Sequence, residues 1–170
     1  MPLFRLKNKY VFSVTKLNVS KGLYSHCTAS EIAEKYTTDD RANMSYGGYF
    51  MKKRAWNHLI RNELSKLNLE GIQGHGHITM AFGPNIDAYL AAKCPENAYA
   101  KISSILISED GNLACLVVDD LVSEDGIPIT SFNKPNPKRG VNKIILHVTV
   151  WCRNGRKPFE SNLELNKYFK

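Results

Sequence analysis

The chain has 170 residues, 43% of them hydrophobic and 23% charged, with a formal net charge of +7. That length suits a single domain over residues 1–170, and the ordinary globular composition argues against a disordered or fibrous chain. No apolar run reaches the length of a membrane span, and Phe4-Arg5-Leu6-Lys7 interrupts any signal-peptide core, so a cytoplasmic monomer is expected.

In chain order, residues 10–17 alternate as a strand does. Thr28-Ala29-Ser30-Glu31 has the form of a capping box and opens a helix to about Tyr36. Tyr46-Gly47-Gly48-Tyr49 is a turn or strand entry, and Met51, Ala55, Leu59, Ile60, Leu64 and Leu67 follow a helical period over 50–67. Gly71, Gly74 and Gly76 then lead into a strand over 77–82, stopped by Gly83-Pro84. A short helix is expected near 87–92, followed by a hairpin of strands 100–108 and 113–119 around Glu109-Asp110-Gly111-Asn112. Residues 123–142 are rich in Pro, Gly and Asn; the last strand covers 143–152, and the tail 158–170 suits a short helix. The mixture of helices and mostly antiparallel strands implies an α+β fold.

The four cysteines, Cys27, Cys94, Cys115 and Cys152, form no Cys-x-x-Cys pair and read as free thiols. Charge is unevenly spread: Lys134 to Lys157 contains seven bases and no acid, and this stretch brackets His147. A positive field there raises the local concentration of a phosphate-bearing ligand, while a solvated basic face explains the charge equally well.

Two tripeptides carry the chemistry, His77-Ile78-Thr79 and His147-Val148-Thr149. On a strand, residues two apart share a face, so each tripeptide presents an imidazole and a hydroxyl side by side and anchors the apolar residue between them. Two such strands meeting at a cleft supply what phosphodiester hydrolysis needs. One imidazole takes a proton from water, the other protonates the leaving oxygen, and two hydroxyls hold the non-bridging oxygens. No cofactor or metal is required. His26-Cys27-Thr28 fits the same tripeptide but precedes a helical, capped segment and is set aside. His75 with His77 is a candidate pair of metal ligands lacking a third by spacing. By parity Trp151 shares the face of His147 and Thr149, where it stacks on a base or else serves the core; Phe82 has the opposite parity to His77.

Four stretches in this order carry a resemblance: Tyr46 to Lys53, His77 to Phe82, Ala100 to Ser108 with the Leu113 segment, and Leu146 to Cys152. Together they resemble the two-histidine (2H) phosphoesterase superfamily, and within it the 2′,3′-cyclic nucleotide 3′-phosphodiesterase branch and related tRNA-ligase end-healing domains. The resemblance implies a two-lobed fold, with antiparallel sheets related by pseudo-twofold symmetry around a central cleft. It implies hydrolysis of a nucleoside 2′,3′-cyclic phosphate, or of such a phosphate at an RNA end, to the 2′-phosphate. His77 is then the acid, His147 the base, Thr79 and Thr149 the phosphate ligands, and Tyr46 and Phe82 lie at the substrate site. Alternatives are 2′-5′ linkages or cyclic oligonucleotides as substrates, and a non-catalytic RNA-binding module.

Overall fold

A computed structural model describes residues 2–20 and 44–170. The capped helix expected from Thr28 and the tripeptide at His26 lie outside the described residues. Six strands are present: β1 (Leu3–Ser20), β2 (Met44–Met51), β3 (His77–Phe82), β4 (Asn97–Ile107), β5 (Leu113–Ser123) and β6 (His147–Cys152). They close into one barrel in the order β1-β2-β3-β6-β5-β4, with every neighbouring pair antiparallel.

This corrects the two-lobed α+β fold expected from the sequence. Two features of the chain account for the difference. β1 runs for 18 residues and serves both ends of the sheet, so that Val14 pairs with Met51 on one side and Ala98 on the other. Pairing a single strand twice removes the free edges that two separate sheets would keep. The His77 and His147 strands, moreover, are direct neighbours within that sheet, Ile78 lying opposite Val148.

The helices are short: α1 (Lys53–Leu59), α2 (Ile86–Ala91) and α3 (Glu160–Tyr168). The helix expected over 50–67 loses its first two residues to β2, where Phe50 pairs with His77 and the Met51 N–H donates to Gly76 O at 2.9 Å. Its second half, Ile60–Leu64, winds as a π-helix. No helix among the described residues is long and apolar enough to cross a membrane.

Strand alternation fills the barrel with Phe12, Val14, Tyr49, Ile78, Met80, Ile102, Leu116, Val148 and Val150, all buried. α1 and the π-helix after it follow β2 and bring Trp56, Leu59 and Leu64 to the core at the end where β3 begins. α2 follows β3 and brings Ile86 and Tyr89 to the opposite end. Burying that set of large side chains contributes on the order of 1.5–3 kcal/mol each before chain entropy is counted. A second apolar cluster lies on the outside, where Leu106, Cys115 and Val117 meet Leu165 of α3. The long segment between β5 and β6 is tied down at several points. Phe132 N–H donates to Met80 O at 2.7 Å, Asn136 bridges Val141, and the Asn142 and Lys143 N–H groups donate to Asn166 Oδ1.

Candidate active site on the outer face of β2, β3 and β6

With Ile78 opposite Val148 in an antiparallel pair, His77 falls beside Thr149 and Thr79 beside His147. The two hydroxyls and two imidazoles therefore form a crosswise square on the outer face. The two histidines are diagonal neighbours, for which a separation of roughly 7–8 Å is usual. They are close enough that a proton on His147 opposes one on His77.

Each of the two strands carries a bulge just after its threonine. On β3 the partners of Thr79 and Ala81 are the consecutive residues Gly48 and Gly47, so Met80 is the extra residue. On β6 the partners of Thr149 and Trp151 are the consecutive residues Cys115 and Ala114, so Val150 is extra. An extra residue leaves its carbonyl outside the ladder, and a buried carbonyl needs a donor. Met80 O accepts from Phe132 N–H at 2.7 Å, and Val150 O from Gln73 N–H at 2.8 Å.

The bulges reverse two expectations drawn from alternation. Phe82 pairs with Tyr46 and so joins the face of His77, where the residue is 61% exposed. Trp151 leaves that face. It packs in the barrel core at 3% exposure, its Nε1–H donates to Gly111 O at 3.0 Å, and the Arg153 guanidinium lies 4.4 Å from its ring centre. Of the two readings of Trp151, the structure gives the core one.

His77 sits in an aromatic cage. Its ring is stacked with Tyr46 at 5.0 Å and with Phe50 at 5.2 Å between centroids, and His75 lies 5.9 Å away. The cage depends on Gly48, which stands between Tyr46 and Phe50 on the same face. A Cβ there would lie 2.1 Å from Ile78 O, and without one the two rings approach to 6.2 Å. The His77 Nδ1 is buried without a hydrogen-bond partner among the described residues. Burial first, then the neighbouring His75 and His147 imidazoles, push its pKa down to about 4. An unpaired buried N–H costs more than an unpaired lone pair, so the neutral ring carries its proton on Nε2.

His147 has the opposite arrangement. Its Nδ1–H donates to Ile145 O at 2.8 Å, a carbonyl that can only accept, which leaves the lone pair on Nε2. Burial lowers its pKa as well, partly offset by that hydrogen bond. The threonines also differ. Thr79 is half-buried, whereas Thr149 is 7% exposed and its Oγ1 lies 3.0 Å from Ser161 Oγ on α3.

The sequence reading missed Phe50, assigned to a helix, and Ile145 and Ser161, which no spacing marks. Extending the strand parity of Tyr46 by four residues would have found Phe50. Among the described residues no three of His, Cys, Asp and Glu converge as a metal-ligand set, and the Phe50 ring lies 5.2 Å from His75 and from His77. In the basic stretch, Lys134, Lys138, Arg139 and Lys143 are exposed. Arg153 is instead taken up by the carbonyls of Asn68 and Glu70, and Arg156 by Asp110, Glu160 and Glu164. Compared with known proteins, the chain matches no family model, no curated protein and no solved structure.

Proposed function

We propose that the chain hydrolyses 2′,3′-cyclic phosphates, on nucleosides or RNA ends, to 2′-phosphates without a metal. The observation that carries the reading is the crosswise square of two imidazoles and two threonines, in which the two rings have opposite Nδ1 surroundings. A diagonal of roughly 7–8 Å spans a phosphorus with its attacking and leaving oxygens on either side.

Both imidazoles rest neutral near pH 7, because burial depresses both. A phosphodiester anion between them favours a proton on His77, which becomes the acid. His147, with its Nε2 lone pair free, removes a proton from water as the oxygen attacks phosphorus. The P–O3′ bond breaks, His77 protonates O3′, and the product leaves with a 3′-hydroxyl and a 2′-phosphate. Solvent carries the proton from His147 back. Thr79 and Thr149 donate to the non-bridging oxygens, where negative charge is held. The Tyr46 ring packs against His77 and so orients the acid, and Phe82 offers an exposed ring at the rim.

The test is incubation with 2′,3′-cyclic AMP in EDTA, followed by identification of the product. Release of the 2′-phosphate, lowered by two or more orders of magnitude in His77→Ala and in His147→Ala, is the expected result. Undiminished turnover in both variants, or binding of the nucleotide with no turnover in the native chain, would overturn the reading.

A further inference from the structure

Phe82 stands exposed on the face of His77, with Tyr46 of β2 on one side of it. On its other side β6 is missing, because β6 pairs with β3 only at Ile78. The segment that precedes β6 takes its place. Phe132 N–H and Ser131 Oγ–H both donate to Met80 O, at 2.7 and 3.2 Å, and the next residue, Asn133, comes to lie beside Phe82. There the Asn85 Nδ2 group donates to Phe82 O and to Asn133 Oδ1, at 3.3 Å each. Asn85 holds the N-cap position of α2, yet its side chain makes no capping hydrogen bond, so the amide serves these two contacts instead.

The two contacts fix which way both amides face. A backbone carbonyl only accepts, so the Asn85 atom at Phe82 O is the nitrogen. The Asn133 atom that meets that nitrogen is therefore its oxygen. The Asn133 Nδ2 is left over, with no partner among the described residues and not among their enclosed, unpaired atoms. A donor of set orientation thus stands at the edge of an exposed aromatic ring.

Those two groups are what a planar heterocycle needs, a face to stack on and a donor at its edge. The spacing fits as well. Thr79 and Phe82 are three residues apart, roughly 10 Å along the strand, which is the reach of one nucleoside from its phosphate to the far edge of its base. The group met there is the exocyclic substituent opposite the sugar. It is a carbonyl oxygen in uracil and guanine and an amino group in cytosine and adenine. An N–H donor pairs with the carbonyl and opposes the amino group.

We propose that Phe82 and Asn133 form a base subsite, and that Asn133, oriented by Asn85, selects a keto base over an amino base. The proposal rests on the phosphodiesterase reading of the His77 and His147 square. Phe82 adds affinity for any base, since every base has a face to stack. Asn133 is the specificity-determining residue, and Asn85 is a positioning residue that keeps its amide from turning over.

Uridine and cytidine differ at that one position, so they are the probes. Uridine 2′-phosphate and cytidine 2′-phosphate are products of the proposed reaction, which lets calorimetry measure their Kd without turnover; kcat and KM for the two 2′,3′-cyclic phosphates are measured beside it. The native chain should favour uridine about 5–10-fold in both, with the difference in KM rather than kcat. Asn133→Asp keeps the shape, leaves one oxygen on Asn85 and turns the other outward, so the preference should reverse to cytidine. Asn133→Leu and Asn85→Ala should each bring the two nucleotides level. Phe82→Ala should weaken both about tenfold without changing their ratio. Equal affinity for the two products in the native chain would overturn the proposal, as would a uridine preference that survives Asn133→Leu. Both results leave the phosphodiesterase reading standing; its own failure is visible as turnover that ignores His77→Ala and His147→Ala. Thermal unfolding of each variant separates a lost subsite from a lost fold.

Discussion

β3 and β6 carry the same His-x-Thr pattern, bulge just after its threonine and lie side by side, but they hold their functional groups in different ways. On β6 both groups are tied to the protein: the His147 Nδ1–H to Ile145 O and the Thr149 hydroxyl to Ser161. On β3 neither is held by a hydrogen bond of that kind among the described residues. His77 is fixed by ring stacking against Tyr46 and Phe50 with its Nδ1 unpaired, and Thr79 is half-exposed. A hydrogen-bonded imidazole has a set tautomer and a set lone pair, which suits a base. A stacked imidazole with an orphaned nitrogen resists protonation until an anion arrives, which suits an acid that is armed only when substrate is bound. On the phosphodiesterase reading, one His-x-Thr pattern thus serves two roles, because the elements packed behind each strand differ.

The largest expected effect comes from the residue that shapes the β3 side. Gly48→Ala places a Cβ 2.1 Å from Ile78 O and 3.2 Å from Thr79 Cα, both backbone atoms that cannot move without breaking the β2–β3 ladder. A loss of about 3 kcal/mol or more is expected in urea unfolding, with the Tyr46–Phe50 approach destroyed in whatever remains folded. A native-like unfolding midpoint would mean that the bulge relaxes freely.

Next in size is an acid-sensitive contribution from His77. Its folded pKa of about 4 lies below the ordinary value of 6.5, so between those values the unfolded chain binds more protons than the folded one. Stability is therefore complete above about pH 6.5 and falls as pH drops toward 4. The loss should be about 2 kcal/mol; it stays under the roughly 3 that the full shift allows because the ring keeps an exposed edge. In His77→Phe this part of the pH dependence should vanish, and an unchanged slope would separate acid sensitivity from this ring. On the phosphodiesterase reading, in which a protonated His77 is the acid and is scarce at neutrality, the same shift should place the maximum of kcat/KM for 2′,3′-cyclic AMP below pH 6.5.

Legibility in the sequence followed the range of the interactions. The strand at His77–Phe82 and the hairpin of β4 and β5 could be read locally, because alternation and a Gly-containing turn are short-range signals. The two imidazole–hydroxyl pairs were likewise visible, but not that their strands lie side by side in one sheet. Closure of the barrel was not. It depends on β1 pairing at both of its edges, and the segment before Tyr10 shows no clean alternation, its register breaking between Arg5 and Tyr10. The bulges were hidden for another reason. Met80 and Val150 are apolar like their neighbours, so an inserted residue leaves no trace in the pattern while moving Phe82 onto the site and Trp151 into the core. Ser161 is held to Thr149 only through the tertiary seat of α3, which local sequence does not encode.

That seat offers a way to loosen the β6 side alone. Arg156 bonds Asp110 at 2.8 Å, Glu160 at 2.9 Å and Glu164 at 2.7 Å, joining α3 to the turn after β4. Glu164 first, then Asp110, hold the guanidinium well above its usual range, while Ser108, the Asn112 N–H and Arg156 hold the Asp110 carboxyl well below its own. Arg156→Leu should cost about 1–2 kcal/mol, since the pairs are partly open to solvent. Amide exchange should quicken in α3 and β6 and stay unchanged in β3; equal acceleration in both strands would show that α3 supports the whole barrel.

The smallest change tests the β3 side in isolation. Tyr46→Leu removes one of the two rings stacked on His77, at a cost of about 0.5–1.5 kcal/mol. Burial is the first cause of the depressed His77 pKa, so opening one wall of the cage should carry that pKa upward toward 6.5, followed by the imidazole proton resonances in an NMR titration. The Ile145 hydrogen bond is untouched, so the His147 titration should hold its place, and Tyr46→Phe, which keeps the ring, should leave both histidines as they were. If both move together in Tyr46→Leu, the two imidazoles share one environment, and the division of labour between a stacked acid and a hydrogen-bonded base falls with it.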